Sequence, residues 1–197
     1  MNILKGRRHG IPASRAMVVR LGCALLGVFM VALSLSAQTL SEYDVEAAYL
    51  YNFGKFVRWP AASEKTSTFD ICILGQDPFG GTLEKLIAND KIAGKPIRKR
   101  MVESSSDSTG CAIVYISDSE SRDLRKIVAS LDGGELLVSG LPNFLREGGM
   151  IQFVMDGDRV RFEINLDPVT KNHLILSSQL LKVAVRVTGR RQKRAAR

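Results

Sequence analysis

Few side chains in this sequence have types and spacings that could do chemistry. Of its two histidines, His9 lies in a basic N-terminal stretch that reads as a cleaved leader, which leaves His173 alone, so no two-histidine metal site is expected and a histidine-based catalytic pair has little scope. His173 reads as a residue that caps or compensates a helix end. No motif marks a serine–lysine or paired-carboxylate site. The stretch "GQDPFGG" (75–81) places glycines between a strand and a helix start, where phosphates can bind. It fits neither the P-loop nor the GxGxxG pattern, and a helix-capping turn is the ordinary reading. Catalytic residues, metal ligands and cofactors are therefore not expected.

Three cysteines are present. Cys23 lies in an apolar run with no lipobox before it, which argues against lipidation. Cys72 and Cys111 each fall near the start of a strand-like run, so both would stand at similar depth in a parallel sheet. An even count in an oxidising compartment invites a disulfide, and two independent buried thiols are the other reading.

Five aromatic side chains crowd "YLYNFGKFVRWP" (49–60). Ser41 to Trp59 reads as a helix, with a capping-box start at Ser41 and Asp44 and a stop at Pro60. Val45, Tyr49, Phe53 and Phe56 fall on one face, which Ala48, Leu50, Val57 and Trp59 widen. That makes the aromatic strip a core stripe. Asn52 projects within the apolar arc and needs a structural tie. Tyr51, Lys55, Arg58, Ala47 and Gly54 face the other way. Tyr51, Lys55 and Arg58 bring the residue types that anchor interfaces to that face, which another helix, a partner or the mate in a homodimer could cover.

The elements that follow alternate. "FDICILG" (69–75), "KPIRKRMV" (95–102), "CAIVYIS" (111–117) and "ELLVSG" (135–140) read as strands. Helices are expected from Pro78 to about Ala88 and, capped by Ser117 with Glu120, up to Gly133–Gly134. The low-complexity stretch "ESSSDSTG" (103–110) reads as an exposed loop. "MIQFVMDGDRVRFEIN" (150–165) is a hairpin about an Asp156-Gly157 type I′ turn, which sets Phe153 opposite Val160 and Ile151 opposite Phe162. Arg159, Arg161, Glu163 and Asn165 alternate on its outward face, either as a solvated ladder or as a partner patch. A short helix starts at Asp167-Pro168. Ser177 or Ser178 caps a last one carrying Leu180, Leu181, Ala184 and Val187, although "KVAVRV" also fits a strand. The fold class is α/β: a single-domain sandwich with a mixed, largely parallel sheet, helices on both faces and a C-terminal β-hairpin.

The ends decide the compartment. Residues 1–37 carry five basic and no acidic residues, then an apolar run from Leu21 to Leu35 and the small residues Ser34, Ser36 and Ala37. This is a secretory signal, with an uncleaved anchor as the rival reading. Its removal lowers the formal charge from +8 to +3. Five further cations lie in the basic tail over 189–197, so the domain between, 38–188, is slightly acidic. The basic balance thus comes from the two ends and gives no case for nucleic acid. The tail reads as a solvated, disordered extension, with contact to anionic lipid or cell-wall polymer as the alternative. The chain is therefore expected to be exported.

Three stretches, "AAYLYNFGKFVRWP", "ILGQDPFGGTLEKL" and "GGMIQFVMDGDRVRFEINLDPVTKNHLILSSQLLKVA", resemble the YfiR-like family of bacterial periplasmic proteins, in the right order from about Val45 to Val185. The resemblance implies an α/β sandwich and a regulatory role without chemistry of its own. In its best-known member that role is repression of an inner-membrane diguanylate cyclase, by binding the enzyme's periplasmic sensor domain. Release raises cyclic di-GMP and promotes biofilm formation. Cys72 and Cys111 match the family's disulfide positions, and a second cysteine pair carried by some members is missing. The implied partner is a membrane-anchored diguanylate cyclase or another envelope sensor. A small-molecule sensing module that signals to some envelope partner is the competing class.

Overall fold

The structure, a computed structural model, describes residues 41–60, 66–131 and 133–190. The leader expected over 1–37 and the tail from residue 191 lie outside them. Ser41 Oγ accepts from the Asp44 amide at 3.1 Å while the Asp44 carboxylate accepts from the Ser41 amide at 3.0 Å, a reciprocal capping box. Helix α1 then runs Glu42–Phe56. It stops short of Trp59 because Val57–Arg58 (β1) pair antiparallel with Ile175–Leu176 (β9). Strand pairing, not Pro60, ends the helix.

Eight strands form the main sheet: β2 (Phe69–Leu74), β3 (Lys91–Ile92), β4 (Lys95–Val102), β5 (Cys111–Ile116), β6 (Leu136–Ser139), β7 (Ile151–Asp156), β8 (Arg159–Asn165) and β10 (Arg186–Thr188). Their spatial order is β10-β8-β7-β6-β5-β2-β4-β3. All neighbours are parallel except β7–β8 and β3–β4. Every residue of β2 and β6 is buried, as central strands of a sheet covered on both faces require. The expected α/β class, with its hairpin, is what the chain builds. The remaining helices are short: α2 (Thr82–Ile87), α3 (Leu124–Ser130), α4 (Leu166–Lys171) and α5 (Ser178–Val183).

Helix α1 covers one sheet face. Phe53 stacks on Phe153 with centroids 5.9 Å apart and meets Phe162 edge-on at 5.1 Å, while Tyr49 meets Phe162 at 5.2 Å. The buried side of the helix is rotated from the expected one. Ala47 and Gly54 are buried, whereas Phe56 is 37% exposed. Gly54 lets the helix approach Phe69 and Ile92, where a Cβ would collide with the Ile92 side chain and crowd the Phe69 ring. The same rotation leaves Asn52 exposed, its amide donating to the Ala48 carbonyl at 2.8 Å.

Other boundaries shift for local reasons. Asp77 Oδ1 accepts from the Phe79 amide at 2.9 Å, but Gly80 takes a φ of 50° and α2 begins only at Thr82. Ser117 makes no cap, because Glu120 instead accepts from Ser119 Oγ at 2.8 Å, and a 3₁₀ turn (Asp118–Glu120) precedes α3. The "ESSSDSTG" stretch holds a second 3₁₀ turn, Ser105–Ser108. In the hairpin Phe153 pairs with Phe162 and Ile151 with Ile164, around a Gly157-Asp158 turn. Positive φ falls at Gly157 (59°) and not at Asp158, the II′ rather than the I′ requirement. The slip from the expected register is two residues, so every side chain keeps its face. At the C-terminus Ser177 Oγ caps α5 through the Leu180 amide at 3.2 Å, and "KVAVRV" divides into a helix end and strand β10. His173 takes a φ of 58° just after α4.

Candidate functional site

The cysteines meet on the sheet face turned away from α1. Phe69 packs under Gly54 of α1, so strand alternation sends Asp70 and Cys72 to the other side. Cys72 and Cys111 form a disulfide with Cα atoms 5.9 Å apart, beside a bulge between Asp70 and Ile71. Asp70, 5% exposed, accepts two hydrogen bonds from Arg98, at 3.1 and 2.7 Å, and Arg100 lies 3.7 Å away. Burial alone would raise the Asp70 carboxyl. The Arg98 hydrogen bonds and the two positive charges outweigh it and hold the group below the usual carboxylate range. Arg100 also donates to the Thr109 carbonyl and to Cys111 Sγ, each at 2.9 Å.

The five residues expected to bind a partner do not form one patch: two lie on the β3 side of the main sheet, two on the β10 side and Arg58 on the separate β1–β9 pair. On the β3 side, Tyr51 donates to the Asp90 carboxylate and Lys55 contacts both, with its Nζ 3.1 Å from Asp90. Arg58 is exposed on β1. On the β10 side, Arg161 donates to the Val183 carbonyl at 3.2 Å and Glu163 pairs with Arg186. Asn165 caps α4 through the Asp167 amide at 3.1 Å and ties it to the Leu145 carbonyl at 3.3 Å.

Two features escaped the sequence reading. The first is Glu46, a carboxyl only 2% exposed between α1 and the sheet. Its Oε2 accepts from the buried Tyr115 hydroxyl at 3.1 Å. Burial pushes the acid up to about 7. The Tyr115 hydrogen bond works against this, and the negative charges of Glu42 and Asp118 reinforce it. The site lies where the winding of the sheet reverses: β2 leads to β4 on one side, and the chain crosses back to β5 on the other. The carboxyl ends of such strands are the usual ligand crevice of doubly wound sheets. Here aromatic rings occupy it, with Phe79 edge-on to Tyr115 at 4.7 Å and to Tyr43 at 6.3 Å. The signal was present in the sequence, because Glu46 precedes Leu50 and Phe53 by four and seven positions on the buried helical stripe.

The second feature is a groove of about 700 Å³ at the outer edge of β8. Strand β10 pairs only with Glu163–Asn165, so Arg159–Arg161 have no strand neighbour on that side among the described residues. Around a two-residue turn, the backbone groups of Val160 and Phe162 point outward. The Phe162 carbonyl accepts from the Val185 amide at 3.0 Å, and that of Val160 accepts from the Tyr49 hydroxyl at 3.5 Å. Glu42, Val45 and Tyr49 form the α1 wall, and Met155, Asp158, Arg159, Arg161, Lys182 and Val183 are among the residues opposite. Met155 and Val183 are each 52% exposed. Half-exposed apolar side chains within a rim of mixed charge, Arg159, Arg161 and Lys182 with Glu42 and Asp158, suit a protein partner.

Fold and surfaces together define a single α/β domain whose distinctive features are a groove and a buried acid. Residues 43–185 match the YfiR/HmsC-like family, and the chain belongs to that family. It is a regulatory rather than a catalytic family, associated with periplasmic control of cyclic di-GMP signalling. Among solved structures, the chain is similar to a conserved domain protein from Vibrio cholerae O1 biovar El Tor, at 8% identity and a TM-score of 0.48. That match covers 75% of this chain and 60% of the other. It is also similar to an ABC domain in complex with L-Trp from Streptococcus pneumoniae, at 11% identity and a TM-score of 0.48, covering 71% and 59%. The chain thus spans about 60% of the length of either structure, and likeness at this level does not bear on function.

Proposed function

We propose that this protein is a periplasmic repressor that docks the periplasmic sensor domain of a membrane-anchored diguanylate cyclase and holds the enzyme inactive, so lowering cyclic di-GMP and biofilm formation. The observation that carries the reading is the groove beside β8, in a chain of a regulatory family. Its half-exposed Met155 and Val183 share the groove with Arg159 and Arg161 at a strand edge that β10 leaves open. Export rests on the leader-like residues 1–37. The docked domain would cover the two apolar side chains and could add backbone hydrogen bonds along Val160.

Deleting the gene should raise cyclic di-GMP only where the cyclase is intact. Complementation with Met155→Asp/Val183→Asp should then fail, although the protein is folded, exported and abundant. Full repression by that variant would place the interface elsewhere. Tyr51→Ala/Arg58→Ala tests α1 and β1 residues outside the groove, and loss of repression there alone would move the interface to them. No cyclic di-GMP response to the deletion would remove the cyclase reading.

A further inference from the structure

Glu46 belongs to neither the groove nor the disulfide region, yet it sits at the centre of the α1–sheet contact. The groups around it come from every element packed on it. Glu42 and Tyr43 lie on α1, Tyr115 on β5, Asp118 on the 3₁₀ turn and Gly140 on the loop after β6, with a Cβ built at Gly140 falling 3.6 Å from Glu46 Oε1. Glu42, Asp118 and Tyr43 are acidic or phenolic, Tyr115 is a phenol already spent on Glu46, and among the described residues no cation acts on the carboxyl. One neutral donor does not compensate a buried carboxylate, whereas a buried neutral acid is inexpensive. A carboxylate at this position must draw in water or lift the helix.

We propose that Glu46 is a protonation-controlled latch: neutral, it lets the N-terminal half of α1 seat on the sheet, and ionised, it loosens that half. The latch reaches the groove through the helix itself. Val45 adjoins Glu46 and Tyr49 lies one turn on, and both form the groove's α1 wall, with the Tyr49 hydroxyl on the Val160 carbonyl. Loosening α1 therefore opens that wall. Resting on the docking reading above, capture of a cyclase sensor domain would be stronger in a mildly acidic envelope than in an alkaline one. The transition falls near neutrality, because burial raises the acid to about 7.

The test follows amide exchange in α1 by mass spectrometry at pH 5.5, 7 and 8.5, corrected for intrinsic exchange, with carboxyl-carbon NMR of Glu46 on the same protein. In the wild type, protection of the first two turns of α1 should fall roughly tenfold or more from the acid to the alkaline end. Glu46→Gln should hold the acid-side protection throughout. Tyr115→Phe removes a hydrogen bond that favours the carboxylate, so its transition should move to higher pH. An NMR midpoint in the ordinary carboxylic range, or pH-independent protection in the wild type, overturns the latch even if Glu46→Gln fails to fold. Sensor-domain capture measured at the same three pH values separates the two ideas. A latch that titrates while capture stays flat upholds Glu46 and sinks docking at the groove.

Discussion

Asp70 and Glu46 are both carboxyl groups buried against the sheet, one on each face, and the chain holds them in opposite ways. Asp70 faces two arginines on β4 and is kept ionised. Glu46 faces a phenol and other acids and is pushed towards the neutral form. Burial acts alike on both, so the difference lies in their partners. On the Asp70 face, cations and a disulfide tie β2, β4 and β5 together whatever the pH of a physiological medium. On the Glu46 face, the contact between helix and sheet depends on one proton.

The largest change should come from unstapling the Asp70 face. Cys72→Ala/Cys111→Ala opens a cross-link with a sequence separation of 39, and the chain-entropy relation gives a loss of about 4 kcal/mol. Urea unfolding should show it, and a loss below about 1 kcal/mol would mean the strands hold without the bond. Next comes Glu46→Gln. A shift from 4.5 to about 7 corresponds to at most about 3 kcal/mol. Because the folded-state value is raised, the acid's contribution is complete below pH 4.5 and is lost as pH rises through 7. Glu46→Gln should therefore flatten that decline, leaving the variant more stable than wild type at pH 8 and no better at pH 4.5. Parallel stability curves for the two proteins would contradict this.

Asp70→Asn should act with the reverse sign. It should cost about 2 kcal/mol at pH 7, less than a fully buried ion pair because Arg98 is half exposed. The difference from wild type should shrink as acid takes wild-type Asp70 through its lowered value, below 3.8. The smallest effect should be that of Lys55→Ala. Its ion pair with Asp90 lies in solvent, and thermal unfolding should not distinguish the variant from wild type at physiological salt.

The strands were legible from short runs bounded by turn residues: the apolar "CAIVYIS" exceeds β5 by one residue, and "KPIRKRMV", for all its four cations, is β4 in full. What could not be read was what depends on partners distant in sequence. The end of α1 is fixed by Ile175–Leu176, more than a hundred residues on, and its buried side by the approach of Gly54 to β2 and β3. The hairpin register was read two residues short because Asp156-Gly157 and Gly157-Asp158 are both good turns, and both put the same side chains on the core face. Glu46 was overlooked because a charged residue within an apolar stripe reads as an interruption. Only Tyr115, from another strand, gives it a place.

The order in which the chain is made has a consequence for how it folds. Helix α1 comes first among the described elements, yet its aromatic side chains pack on the hairpin, with Tyr49 and the Val160 it touches separated by 111 positions. Until β7 and β8 exist, Phe53 and Tyr49 have neither Phe153 nor Phe162 to pack against. Contacts of such sequence separation form slowly, since the intervening loop must close before they contribute. The nascent chain therefore carries an exposed aromatic helix until nearly all of it has emerged, which is the interval in which a holding chaperone would find it.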